Sequence, residues 1–138
     1  MIVDASVVLT AFLSDEVHQD EAHAVVQAHI TDEAPLAAPT LLEYEVSNAL
    51  LQATRQTRIT QQHASDILDA FARLSIDLQP IPPQVMFDLA DALGRSAYDA
   101  SYLALAQLRD QPLITADRKL YNAVHKQFDL ILWIGDYS

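Results

Sequence analysis

Cysteine is absent from this chain, which removes disulfides, thiolate metal sites and cysteine nucleophiles together. Basic residues are few: 8 Lys and Arg stand against 19 Asp and Glu, giving a net charge of −11. So small a positive complement argues against a broad basic surface for nucleic acid, where affinity comes from neutralising phosphates. The surplus of acid is either a solvated surface or, more sharply, a group of carboxylates gathered around a divalent cation. No apolar run approaches the roughly 20 residues that cross a bilayer. The start, Met1-Ile2-Val3-Asp4, reaches an acid too early for a signal peptide. A cytoplasmic location with no membrane attachment is therefore the default expectation. His18, His23, His29, His63 and His125 lack HExxH spacing and read as surface residues on polar helix faces.

What is present is an ordinary globular mixture. The 138 residues are 51% hydrophobic and 20% charged, enough for one domain over residues 1–138 with a proper core. Strands are expected at 1–4, 36–38, 76–81, 112–115 and 128–134. Helices are expected at 6–13, 18–30, 41–56, 59–74 and 117–126, from Pro82-Pro83 to Gly94, and around Asp99. Thr57-Arg58 would form the hinge of a helical hairpin, with Thr60 capping its second arm. Short apolar strands alternating with helices imply βα units around a mainly parallel sheet with helices on both faces. Ligands of such sheets bind beyond the carboxyl ends of the strands.

Asp99 is the residue that this pattern does not explain. In Tyr98-Asp99-Ala100-Ser101-Tyr102-Leu103-Ala104-Leu105-Ala106, continued by Leu108, apolar side chains point in almost every direction. The helix should be enclosed by protein, with Asp99 turned inward. A buried carboxylate costs several kcal/mol unless a cation or donors meet it. Pairing with Arg95 or a helix terminus is one solution; metal ligation is the other and the stronger expectation. Asp4 follows the first strand and Asp117 the fourth, each placed equally well to cap a helix. On the helix at 41–56 the apolar arc runs through Ala49, Leu42, Ala53, Val46 and Leu50. Glu45 projects within that arc and Glu43 beyond its edge, so Glu45 is the inward acid.

Four carboxylates converging without a counter-charge would repel, and a divalent cation resolves the conflict. An all-oxygen set suits Mg²⁺ or Mn²⁺, one ion or two, better than zinc. Such a site performs metal-assisted hydrolysis of a phosphate ester. Ser6 and Thr115 would orient ligands or water behind the acids; ordinary turn and capping hydroxyls are an equal reading.

Taken in order, four stretches resemble the successive motifs of a PIN domain, and more narrowly those of a VapC-type toxin ribonuclease of a type II toxin–antitoxin system. They are Val3-Asp4-Ala5-Ser6, Pro39 leading to Glu45-Val46-Ser47-Asn48-Ala49-Leu50, Tyr98 through Ala106, and Leu113-Ile114-Thr115-Ala116-Asp117-Arg118-Lys119-Leu120. The resemblance implies a three-layer α/β/α fold around a central, mainly parallel sheet of about five strands. It implies an Mg²⁺- or Mn²⁺-dependent endoribonuclease without an organic cofactor, with Asp4, Glu45, Asp99 and Asp117 as its acidic cluster. It implies RNA as substrate, a homodimer, and a small VapB-type antitoxin as partner. Ser6 stands where the family carries Asn or Ser. Arg95, Arg118 and Lys119 lie near these acids and are the expected helpers in RNA binding, with solvation of helix ends the plain alternative. The hairpin at 41–74 offers apolar surface for a dimer or antitoxin interface, or simply packs into the core.

Three other readings remain. A haloacid-dehalogenase-like phosphohydrolase also places an Asp after its first strand, but wants an acid or Thr two residues later and a strand-end Lys. A receiver-like phosphoacceptor module wants paired acids at the first strand end. A PIN-like protein-interaction module would act only through its partner.

Overall fold

The protein is described from a computed structural model, which covers residues 1–13 and 16–138. The polar stretch that follows the first helix thus lies partly outside the described residues. Among them, five short strands form one sheet: β1 (Ile2–Val3), β2 (Ala37–Pro39), β3 (Asp77–Gln79), β4 (Leu113–Thr115) and β5 (Ile131–Trp133). Their order is β3-β2-β1-β4-β5, and every pairing is parallel. The expectation was of a mainly parallel sheet. β1, β2 and β4 are buried throughout, as parallel strands covered on both faces must be.

Helices connect the strands: α1 (Ala5–Phe12), α2 (Gln19–Ile30), α3 (Leu41–Arg55), α4 (Gln61–Arg73), α5 (Pro83–Leu93), α6 (Ala97–Arg109) and α7 (Arg118–Val124). The chain builds outward from β1 through β2 to β3, then returns to lay β4 on the other side of β1. The strand order therefore reverses at β1 and β4. A crevice opens beyond their carboxyl ends at such a point, where Asp4 and Asp117 lie.

Several strands are shorter than the hydrophobic pattern suggested, for local reasons. β1 ends at Val3 because Asp4 turns away to cap α1, accepting a hydrogen bond from the Val7 amide. The expected strand at 76–81 narrows to β3, since Pro80, Pro82 and Pro83 cannot donate to a ladder. Pro39, by contrast, belongs to β2. It sits opposite Gln79 at the strand's end, past the point where β1 pairs with β2, so its missing N–H leaves no partner waiting. Thr60 caps α4 by accepting from the His63 amide, and Gly94 ends α5 in the left-handed conformation at φ 64°.

The core gathers around α6, whose residues Ala100 to Ala106 are all buried and which packs on β1, β2 and β4. Its ends do not follow. Tyr98 is 66% and Leu108 56% exposed, and the Asp99 side chain remains 30% exposed. The enclosure expected for the whole helix is thus corrected: α6 enters the core only after its first turn and leaves it before its last. In the hairpin, Leu42, Val46, Leu50 and Ala53 of α3 and Ala64 and Ile67 of α4 are buried. Core packing accounts for most of its apolar face. None of the five histidines is buried, though three of them also bind backbone. His29 links the carbonyl of Leu74 to the amide of Leu36, His23 bonds the Ala11 carbonyl, and His125 that of Tyr121. Among the described residues no helix is long and apolar enough to cross a membrane.

Candidate active site

Asp4 is the fixed point of the crevice. It is 5% exposed and both its oxygens are engaged. Oδ1 accepts from the Val7 amide at 3.3 Å and from the Ser6 hydroxyl, and Oδ2 accepts from the Thr115 hydroxyl on β4. Each hydroxyl accepts in turn from β4's exit loop. The Ala116 amide donates to Ser6 Oγ at 2.8 Å and the Asp117 amide to Thr115 Oγ1 at 3.0 Å. Ser6 and Thr115 are therefore not loose turn hydroxyls; they stitch the ends of β1 and β4 together through one carboxylate. Burial pushes the Asp4 carboxyl up to about 6, against the pull of these hydrogen bonds and with a smaller push from Asp117.

The other three acids approach from helices or helix starts. Asp117 caps α7, its Oδ1 accepting from the Leu120 amide at 3.1 Å. Asp4 and Asp117 thus each cap a helix and line the same cavity. Glu45 projects inward from α3 while Glu43 is exposed, as the helical wheel required. Its Oε1 accepts from the Tyr102 hydroxyl at 2.6 Å. Asp99 lies in the first turn of α6, where Arg95 meets its Oδ2 at 3.2 and 3.3 Å. The pairing foreseen as the plain alternative for Asp99 is present.

These four carboxylates line one cavity of about 90 Å³, together with Ala5, Ser6, Tyr102 and Leu120. Among the described residues, Glu45 Oε2, Asp99 Oδ1 and Asp117 Oδ2 accept no protein hydrogen bond. The donor set is all oxygen, and no Lys or Arg lines the cavity. Both features fit a hard divalent cation. The carboxylates are nonetheless spread around the wall: among the described residues no three acidic or histidine side chains are drawn together tightly enough to hold an ion.

The expected RNA helpers are differently placed. Arg95 is taken by Asp99, Arg118 lies with its guanidinium carbon 3.8 Å from the Trp133 ring centre, and Lys119 is exposed. None of them lines the acid cavity. Tyr102, read from sequence only as core, belongs to the site instead. It is 3% exposed, and burial, reinforced by Glu45, drives its ionisation far above the ordinary tyrosine value. It therefore stays a donor. The available signal was its hydroxyl, a polar tip in an apolar run that had to find a partner.

The rival chemistries fit less well. The haloacid-dehalogenase reading wants a strand-end Lys, and no lysine lines the cavity; the receiver reading wants paired acids at the first strand end, where Ala5 follows Asp4.

Residues 1–126 match the family model of the PIN domain. The chain is 33% identical over 119 residues to Ribonuclease VapC1 of Mycobacterium tuberculosis, covering 86% of this chain and 90% of that protein. It is 32% identical over 124 residues to Ribonuclease VapC3 of Pyrobaculum aerophilum, covering 87% and 91%. Among solved structures, PAE2754 from Pyrobaculum aerophilum superposes with a TM-score of 0.67 at 24% identity, over 97% of this chain and 90% of that one. VapC20 of Mycobacterium tuberculosis, a sarcin-ricin loop cleaving toxin, superposes with a TM-score of 0.60 at 16% identity, over 89% and 94%. At these identities the two structures speak for the fold.

Proposed function

The chain belongs to the PIN domain family, and from that premise we propose that it is a VapC-type toxin, a hydrolase that cuts RNA within the strand at the cavity of four acids. The observation that carries this reading is the cavity itself. Four carboxylates from β1's end, α3, α6 and β4's exit loop share about 90 Å³, and three of them keep an oxygen free of protein donors.

Asp4, Glu45, Asp99 and Asp117 would hold one or two Mg²⁺ or Mn²⁺ ions. A bound cation supplies a Lewis acid that lowers the pKa of a water and offsets charge on the scissile phosphate. The chain's own residues do the positioning. Ser6 and Thr115 hold the Asp4 carboxylate in one orientation, and Tyr102 holds Glu45 by one oxygen. Arg95 pairs with Asp99, one of the acids of the cavity, and would meet a phosphate there. Arg118 and Lys119 follow Asp117 directly and would meet the strand further out. A VapB-type antitoxin, a homodimer, a cytoplasmic location and the absence of an organic cofactor complete the reading.

The test is cleavage of RNA by the purified protein with Mg²⁺, with Mn²⁺ and with chelator, alongside Asp99→Asn. Cleavage should require the metal and vanish in the variant, whose shape is nearly unchanged. Hydrolysis that survives the chelator or the substitution sinks the proposal.

A further inference from the structure

Two large aromatic side chains beside the acid cavity are left out of the core. Tyr44 is 74% and Tyr98 66% exposed. Tyr44 precedes Glu45 on α3, and Tyr98 precedes Asp99 on α6. Both line two successive hollows. The nearer, about 220 Å³, also includes Glu45 and Asn48 and so shares a wall with the acid cavity. The farther, about 350 Å³, runs over Pro39, Leu41, Ile81 and Met86. A trough thus leads outward from the acids, past two phenol rings, onto an apolar floor.

The charge distribution restricts what such a trough can hold. Arg58 pairs with Glu16, Arg95 with Asp99 and Arg109 with Asp77, while Arg118 lies on Trp133. Neither hollow is lined by Lys or Arg. A strand running through this trough gains little from phosphate neutralisation. The remaining sequence-tolerant source of affinity is stacking of unpaired bases on aromatic faces, worth about 1–3 kcal/mol per base. A tyrosine ring suits this role because it offers a large face and loses few rotamers when held.

We propose that Tyr44 and Tyr98 form a base-stacking subsite for single-stranded RNA, seating nucleotides next to the bond that is cut. The Asn48 amide in the same wall can pair with a base edge. The proposal rests on the ribonuclease reading and deepens it: the protein would select unpaired RNA by stacking in a trough whose walls carry no Lys or Arg to select by charge. Continuity with the acid cavity favours RNA as the occupant, since Glu45 belongs to both the nearer hollow and that cavity and a strand lying in the hollow leads directly to the acids.

The experiment uses a single-stranded oligoribonucleotide carrying 2-aminopurine, whose fluorescence falls on stacking, mixed with the Asp99→Asn protein so that the strand stays intact. Binding should quench the probe. Adding Tyr44→Ala and Tyr98→Ala together should weaken Kd by about tenfold or more and remove most of the quench, whereas the two Phe substitutions should preserve both. In the cleaving protein the Ala pair should raise KM by a similar factor with kcat nearly unchanged. Both side chains are exposed, so the fold should survive, as circular dichroism would verify. An unchanged Kd and quench in the Ala pair overturns the subsite. So does a dimer, seen by light scattering, that falls to monomer in the Ala pair while RNA affinity holds. Quenching without any cleavage by the unsubstituted protein supports the subsite while removing the nuclease reading; cleavage with KM unmoved by the Ala pair does the reverse.

Discussion

On the sheet side of the acid cavity, Asp4 is 5% exposed with both oxygens committed, to Ser6, Val7 and Thr115. On the helix side, Glu45, Asp99 and Asp117 are each held by one oxygen and leave the other open. The first wall is a rigid junction between two strand ends, and its carboxyl is driven toward the protonated form by burial. The second is less tied down, and Arg95 meets the charge of one of its acids, Asp99. On the proposed metal site, Asp4 would be the ligand fixed in place and Glu45, Asp99 and Asp117 the ones that close around the cation. Substitutions on the sheet side should therefore damage fold and chemistry together, and those on the helix side chemistry alone.

The largest effect expected is from Asp4→Asn, which should lower metal-dependent cleavage by more than about a hundredfold, beyond the 10–100-fold of outer partners. The same variant tests the raised carboxyl. With its folded pKa pushed up to about 6, Asp4 contributes stability fully present below the unfolded value near 4, and that contribution is lost as pH rises through 6. Urea unfolding of the metal-free protein should show a loss on the order of 2 kcal/mol from this group between pH 4 and 7. The pH slope of Asp4→Asn should be flatter by that amount. Equal slopes would mean that Asp4 is not desolvated as described.

Thr115→Val comes next. It removes a fully buried hydroxyl that donates to Asp4 and accepts from the Asp117 amide. Stability should fall by about 1–3 kcal/mol and cleavage by about 10–100-fold, in chemical denaturation and RNA assays respectively. If activity dropped with stability untouched, the contrast between the two walls would collapse. Tyr102→Phe, on the helix side, should keep the fold and lower cleavage by about tenfold, most of it as a higher half-saturating Mn²⁺ concentration. A stability loss as large as that of Thr115→Val would place Tyr102 with the rigid wall instead. The smallest effect is from Arg95→Gln. The Arg95–Asp99 pair is partly exposed and worth about 0.2–1 kcal/mol, so freeing Asp99 should tighten Mn²⁺ binding only about two- to threefold by calorimetry. Weaker binding would mean that Arg95 orders Asp99 rather than competing for it.

Much of this arrangement was legible because it rests on short-range rules. The alternation of apolar strands with helices is set by local side-chain periodicity, and Thr60 and Gly94 mark helix ends by backbone chemistry. The choice of Glu45 over Glu43 needed only the angular spacing of a helix. What failed was burial at helix ends. Asp99 and Leu108 belong to the apolar pattern of the helix, yet α6 meets the sheet only along its middle, and nothing within the helix records how deep its first turn lies. The partners of His29 were not legible for a similar reason: it reaches Leu36 and Leu74, whose backbone groups come near it only when α2, β2 and the end of α4 assemble.

The sequence by itself determined that the chain alternates strand and helix, that its acids recur at strand ends and on inward helix faces, and that family motifs run through it in order. These follow from periodicity, capping and residue chemistry, which act over a few residues. Only the tertiary structure decided that Thr115 would reach across to Asp4, that Tyr102 would hold Glu45, that Arg95 would cover Asp99, and that Tyr44 and Tyr98 would face one trough. Those pairings are fixed by the register of β1 against β4 and by how α3 and α6 pack beside them. Contacts between residues as far apart in sequence as Asp4 and Thr115 depend on the whole sheet forming, and no local pattern encodes them.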